Sequence, residues 1–159
     1  EGRRVLVFSQ FTEMLHLVER ELQQLGLSHL MLTGDTPVAD RGPVVAQFQQ
    51  GHTPIFLLSL KAGGVGLNLT AADTVIHLDP WWNPAVEQQA TDRAHRLGQT
   101  RQVMVYKLVV AGSIEERILA LQERKAQLAG SLYSETGAEK GPLFTESDVA
   151  QLLQPLFIQ

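Results

Sequence analysis

Cysteine is absent from all 159 residues, which excludes disulfides and thiolate metal sites and suits a reducing compartment. No apolar run approaches the roughly 18 residues of a membrane span, and no signal peptide is visible at the start. These absences lead us to expect an intracellular protein without a membrane partner. A basic excess is also missing. The net charge of −4 argues against a chain-wide nucleic-acid footprint, so such contacts must come from local groups such as Lys61, Arg101 and Lys107. Two nucleotide signatures fail as well. No lysine completes a G-x-x-x-x-G-K loop, and Leu69 stands where a dinucleotide fingerprint beginning at Gly64 and Gly66 needs its third glycine. The chain opens at Glu1-Gly2 without methionine, from which we expect further sequence upstream.

What is present alternates. Short β-branched or leucine-rich runs at 4–8, 29–32, 55–59, 74–78 and 103–108 are separated by longer segments of helical period. That pattern predicts βαβ units on a mostly parallel, buried sheet, an α/β fold within one compact domain. Leu15, Val18, Leu22 and Leu25 recur at helical spacing, with Gly26 where a left-handed terminal residue is wanted. Gly42-Pro43 interrupts the stretch from Val38 to Gln50, so helix is expected only from Val44 onward, since proline is tolerated in a first turn alone. A capping box of Ser113 with Glu116 opens a helix whose apolar face is Ile114, Ile118, Leu121, Leu128 and Leu132. Residues 134–142 read as a loop, and 146–153 as a short helix before an apolar tail.

Two stretches carry chemistry. From Ser59 to Asn68 a glycine-rich turn follows a buried strand, where small side chains let backbone N–H groups approach an anion. A merely structural turn fits the glycines as well. Downstream, Asp79-Pro80-Trp81-Trp82-Asn83-Pro84 leads into Gln89 to Gln99, where Arg93 and Arg96 lie three residues apart on what reads as one helix sharing a face with Gln89. Two guanidinium groups on one face repel unless carboxylates or an incoming anion answer them. The alternative is an ordinary surface ion pair from Asp92 to Arg96. Asn83 can cap a helix whose first residue is Pro84, and tryptophan pairs are usually core or interface. His77 and His95 lack partners at ligand spacing, so no metal site is expected and both read as structural.

Together Val5 to Phe11, Ser59 to Pro84 and Gln89 to Gln99 resemble motifs IV, V and VI of the second RecA-like lobe in Swi/Snf-like chromatin-remodelling and DNA-translocating ATPases of helicase superfamily two. The resemblance implies a RecA-like parallel sheet flanked by helices, with a C-terminal helical extension. It divides the chain into a helicase C-terminal lobe over 1–112, a brace-like helix over 113–133, and a linker with a short helix over 134–159. Carried over by position, Arg93 and Arg96 would be arginine fingers with Gln89 beside them, and Gly66 and Asn68 would lie near the nucleotide. Ser59, Lys61, Gly63 and Trp82 would touch DNA, leaving Trp81 to the core; Lys61 reads equally as a solvated surface lysine.

The implied partners are double-stranded DNA and an N-terminal RecA-like lobe of the same protein, with nucleoprotein or RNA polymerase as further candidates. The implied cofactors are ATP and Mg2+, held mainly by that other lobe, because this chain has neither the lysine loop nor an Asp-Glu dipeptide. The fragment alone should therefore not hydrolyse ATP. Two competing readings are a strand-separating helicase lobe and a catalytically silent binding module. The short FTESDVAQLL tail is similar to bacterial members, which places the protein at a bacterial nucleoid, or in the nucleus if its source is eukaryotic.

Overall fold

The computed structural model describes residues 2–62, 67–81, 84–96, 98–132 and 147, with backbone alone over 124–132. The loop expected over 134–142, the apolar tail, and the expected helix apart from Ser147 lie outside the described residues. The chain forms two compact units, Glu1–Trp81 with Ala85–Leu108, and Trp82–Pro84 with Val109–Gln159.

The first unit is built on β1 (Val5–Ser9), β2 (His29–Leu32), β3 (Ile55–Ser59), β4 (Thr74–His77) and β5 (Met104–Lys107). All pair in parallel in the order β2-β3-β1-β4-β5, with Val5 opposite both Ile55 and Thr74. Each strand expected from the sequence forms, to within one residue at either end.

Alternation along the strands makes two apolar layers. Leu6, Phe8, Leu32, Phe56, Leu58 and Val75 form one cluster with Phe48, Ala90 and Ala94. Val7 and Leu57 form the other with Leu15, flanked by Val5, Val18, Leu22 and Ile55. Helix α1 (Thr12–Gln24) therefore covers one face, while α2 (Val38–Gln50) and α3 (Pro84–Thr91) reach the other. Gly26 adopts φ +66, and the Gly26 and Leu27 N–H groups donate to the Gln23 and Leu22 carbonyls, closing α1 with a left-handed cap. That cap turns Leu25 outward, 69% exposed, against its expected place on the buried stripe.

Helix α2 corrects the sequence reading. It runs unbroken from Val38, with Pro43 inside its second turn. Proline removes one N–H there, but only near the helix start, and Val44, Val45 and Phe48 still pack on the core. Glycine before the proline also relieves the clash that normally drives that position out of the helical region.

The second unit contributes α4 (Ile114–Leu132). Its capping differs in detail from the expected box. Ser113 Oγ accepts the Glu115 N–H at 3.2 Å, and Glu116 Oε2 accepts the N–H of Gly112 at 2.8 Å. Leu121 is buried and Ile118 half-buried, whereas Ile114 is exposed. Among the described residues no helix is long and apolar enough to cross a membrane.

Candidate functional site

In a parallel sheet every strand delivers its succeeding loop to the same edge, and ligands of such folds bind beyond the carboxyl ends of the strands. Here β1, β3 and β4 end side by side at Ser9, Ser59 and His77. Three buried networks shape the loops that leave this edge.

The first joins β1 to β4. Asp79 is buried, with Oδ1 accepting a hydrogen bond from Ser9 Oγ and Oδ2 accepting the Gln10 N–H at 3.0 Å. The second holds the tryptophan turn. Glu87 of α3 is 1% exposed, its Oε1 accepts the Trp81 N–H at 2.6 Å, and its Oε2 faces Lys107 Nζ at 2.5 Å. Trp81 itself is half-buried against the core cluster, as expected of it.

The third fixes the arginine segment. Helix α3 ends at Thr91, and the N–H groups of Arg93 and Ala94 reach back three residues, to Ala90 and Thr91, so the chain tightens into turns. Arg93 O accepts the Leu69 N–H at 2.9 Å, and Gln99 Nε2 donates to the carbonyls of Ala72 at 2.7 Å and Ala94 at 3.0 Å. Gln49 adds a hydrogen bond from the Ala71 N–H at 2.8 Å. The residues after the glycine loop and the arginine turn are thus one assembly.

This geometry corrects the expectation of twin arginines on one helical face. Arg93 is 4% exposed, whereas Arg96 and Gln89 are exposed. The Arg93 guanidinium lies 5.8 Å from the Phe8 ring, and its Nε and Nη1 have no hydrogen-bond partner. Burial lowers its pKa, and the neighbouring Arg96 charge lowers it further. Phe8 stacks its ring on His77 at 5.5 Å. His77 Nε2 shares a 3.1 Å hydrogen bond with Thr91 Oγ1, but buried Nδ1 has no partner, so this histidine is less satisfied than expected. Burial pushes its pKa down; Glu87 and Asp79 pull it up less strongly, and Lys107 pushes it down.

The helicase conserved C-terminal domain family matches residues 1–98. The chain belongs to that family.

Across 129 residues this helicase domain is 50% identical to the human chromatin-remodeling ATPase INO80, covering 80% of this chain and 8% of that protein. A crystal structure of the C-terminal part of the Fun30 ATPase domain shares 44% identity at a TM-score of 0.71, covering 74% of this chain and 38% of that one. The Sulfolobus solfataricus SWI2/SNF2 ATPase core in complex with dsDNA shares 37% identity at a TM-score of 0.66, covering 80% and 27%. The sheet and its flanking helices are therefore the RecA-like lobe of Snf2-type ATPases, and the chain spans well under half the length of each of these proteins.

Within the helicase domain the remaining expected site residues separate. Ser59 is 3% exposed at the end of β3, and its carbonyl accepts the Ala62 N–H. Lys61 and Asn68 are exposed. Gly63, Gly66, Trp82 and Asn83 lie outside the described residues. Of the other cations expected to meet nucleic acid, Arg101 and Lys107 each lie in an ion pair. Arg101 Nη1 pairs with Asp73 at 3.1 Å, before the amino ends of β4 and β5, and Lys107 pairs with buried Glu87. Burial alone would raise the Asp73 pKa, but hydrogen bonds from Arg101, Thr74 and the Arg4 backbone hold it below the usual carboxylate range.

The sequence reading missed Phe8, Gln49, Asp79, Glu87 and Gln99. The apolar surroundings of Asp79 and the helical phase of Glu87 were the available signals. It also missed Arg41, whose guanidinium donates to Thr36 O at 2.9 Å, Gly34 O at 3.1 Å and Ala62 O at 3.3 Å, tying the turn after β2 to the turn after β3.

Proposed function

We propose that this domain is the second motor lobe of an ATP-dependent double-stranded DNA translocase. Arg93 and Arg96, with Gln89 nearby, answer the phosphates of ATP bound on a preceding RecA-like lobe. Gly66 and Asn68 approach the same nucleotide, while Ser59, Lys61, Gly63 and Trp82 serve the DNA backbone. Residues 113–133 act as a brace, and the isolated domain turns over no ATP.

The observation that carries this reading is the Arg93 side chain: a buried guanidinium with two unmet donors, on a turn bonded to the segment after the glycine loop. An arginine cannot shed its charge, so such donors call for an anion. When the lobes close, phosphate oxygens would supply the acceptors and the guanidinium would neutralise charge spreading over the transferring phosphoryl group. Phe8 holds the side chain by a cation–π contact until then. ATP and Mg2+ would be held mainly by the other lobe.

Strand separation is the rival within the same superfamily. Duplex-stimulated ATP turnover without unwinding distinguishes translocation from it. The decisive test joins this lobe to its preceding lobe and compares DNA-stimulated turnover of the parent with Arg93→Ala and Arg96→Ala. Loss of an arginine finger should lower turnover by roughly 10³–10⁵-fold. Turnover equal to the parent in both variants would remove the arginines from the mechanism.

A further inference from the structure

We propose that Glu87, acting with Lys107, is a positioning post that transmits movement of the Asp79–Trp81 segment to the arginine turn, and so couples DNA engagement to ATP turnover. The inference rests on the translocase reading above. A carboxylate at 1% exposure is costly unless its charge is answered: Oε1 of Glu87 accepts the Trp81 N–H, while Oε2 makes no hydrogen bond and is met only by the ion pair with the Lys107 ammonium. Neither contact is a local helix contact. Trp81 comes two residues after Asp79, which is itself clamped to Ser9 and Gln10 at the end of β1. Lys107 closes β5, and the next residue, Leu108, donates its N–H to His77 O at 2.9 Å. One side chain therefore fastens α3 to the ends of β4 and β5 together.

The arginine turn at the far end of α3 gives the post its meaning. The helix has eight residues, about 12 Å of rise, too short to bend appreciably. Ala90 and Ala94 anchor its far end in the core, and the intervening turn bears Arg93. Besides the chain itself, Glu87 gives pressure on Trp81 a side-chain path to that arginine. A neutral glutamine would accept the same backbone N–H but could not hold the Lys107 ammonium as an ion pair. The charge matters where the β5 end must be held to the same point.

The test uses the full-length protein and two variants, Glu87→Gln and Lys107→Met. The readouts are the ratio of DNA-stimulated to DNA-free ATP turnover, the distance translocated per ATP in a triplex-displacement assay, and Tm. We expect each variant to lower the ratio by about tenfold, within the 5–150-fold usual for coupled sites. The double variant should lose no more than either single one, and Lys107→Arg should restore the ratio. Should Glu87→Gln fail to fold, Lys107→Met, at a position whose side chain is 40% exposed, carries the same test. An unchanged ratio, or equal loss of both activities tracking a fall in Tm, overturns the inference. Arg93→Ala separates the two claims: if it abolishes turnover while Glu87→Gln leaves coupling intact, only the post is refuted.

Discussion

A guanidinium that is 4% exposed with two donors unmet weakens the domain that contains it. An unsatisfied buried donor costs about 1–3 kcal/mol, and replacing a buried ion by an apolar side chain of similar volume is often neutral or stabilising. Arg93→Met should therefore hold or raise the Tm of this domain, by roughly 2–4 °C per kcal/mol gained at this chain length. A calorimetric fall of several degrees would show that Arg93 already has its acceptor. His77 gives a second prediction at this scale. Its folded pKa lies below the ordinary 6.5 because burial disfavours the imidazolium. Between the two values the unfolded chain takes up a proton that the folded chain refuses, so stability falls as pH drops through about 6.5 and levels off below the folded pKa. Urea midpoints between pH 7.5 and pH 5 should show that slope in the parent and lose it in His77→Gln. The spacing singles out Arg93 and Arg96; that one is interior and the other exposed could not be read from it. The difference comes from the end of α3 at Thr91, fixed by the distant Leu69 and Gln99.

At the scale of elements, the strands and α1 were legible because alternation and helical period both reflect which side chains must leave water. Helix α2 was not. The propensity of Gly42-Pro43 argued for a break, but the core contacts of Val44, Val45 and Phe48 outweigh one missing hydrogen bond. An interior proline costs roughly 3 kcal/mol, less up to about 1 kcal/mol for the freedom it removes from the unfolded chain. With Pro43 near the helix start and Gly42 relieving the clash, Pro43→Ala should stabilise the domain by less than that difference of about 2 kcal/mol in a chemical denaturation experiment. Gly42→Ala meets no atom within 4 Å apart from its chain neighbours and its own helix backbone, yet should help only after Pro43 is replaced, because a Cβ before proline clashes in a helix. Additive effects of the two changes would sink that account. Glu87 belongs here too, since its phase on α3 decides that it faces inward, which composition could not disclose.

For the molecule as a whole, the fold class and a parallel sheet are dictated by strand–helix alternation, whereas the order β2-β3-β1-β4-β5 is not. Strand order decides which loops share the carboxyl edge, and so explains why Asp79 meets Ser9 from across the chain. It also separates Arg101 from that edge. Sequence reading grouped Arg101 with Lys61 and Lys107 by charge alone, while the topology places it before β5 instead.

The same strand order has a consequence for how the chain is made. Val5 has no neighbour in the sheet until Ile55 has been synthesised, and its other side waits for Thr74. At about 5–20 residues per second that wait lasts on the order of several seconds, during which a bare Val-Leu-Val-Phe segment trails the ribosome. The centre of the finished sheet is thus the strand that waits longest for its first neighbour.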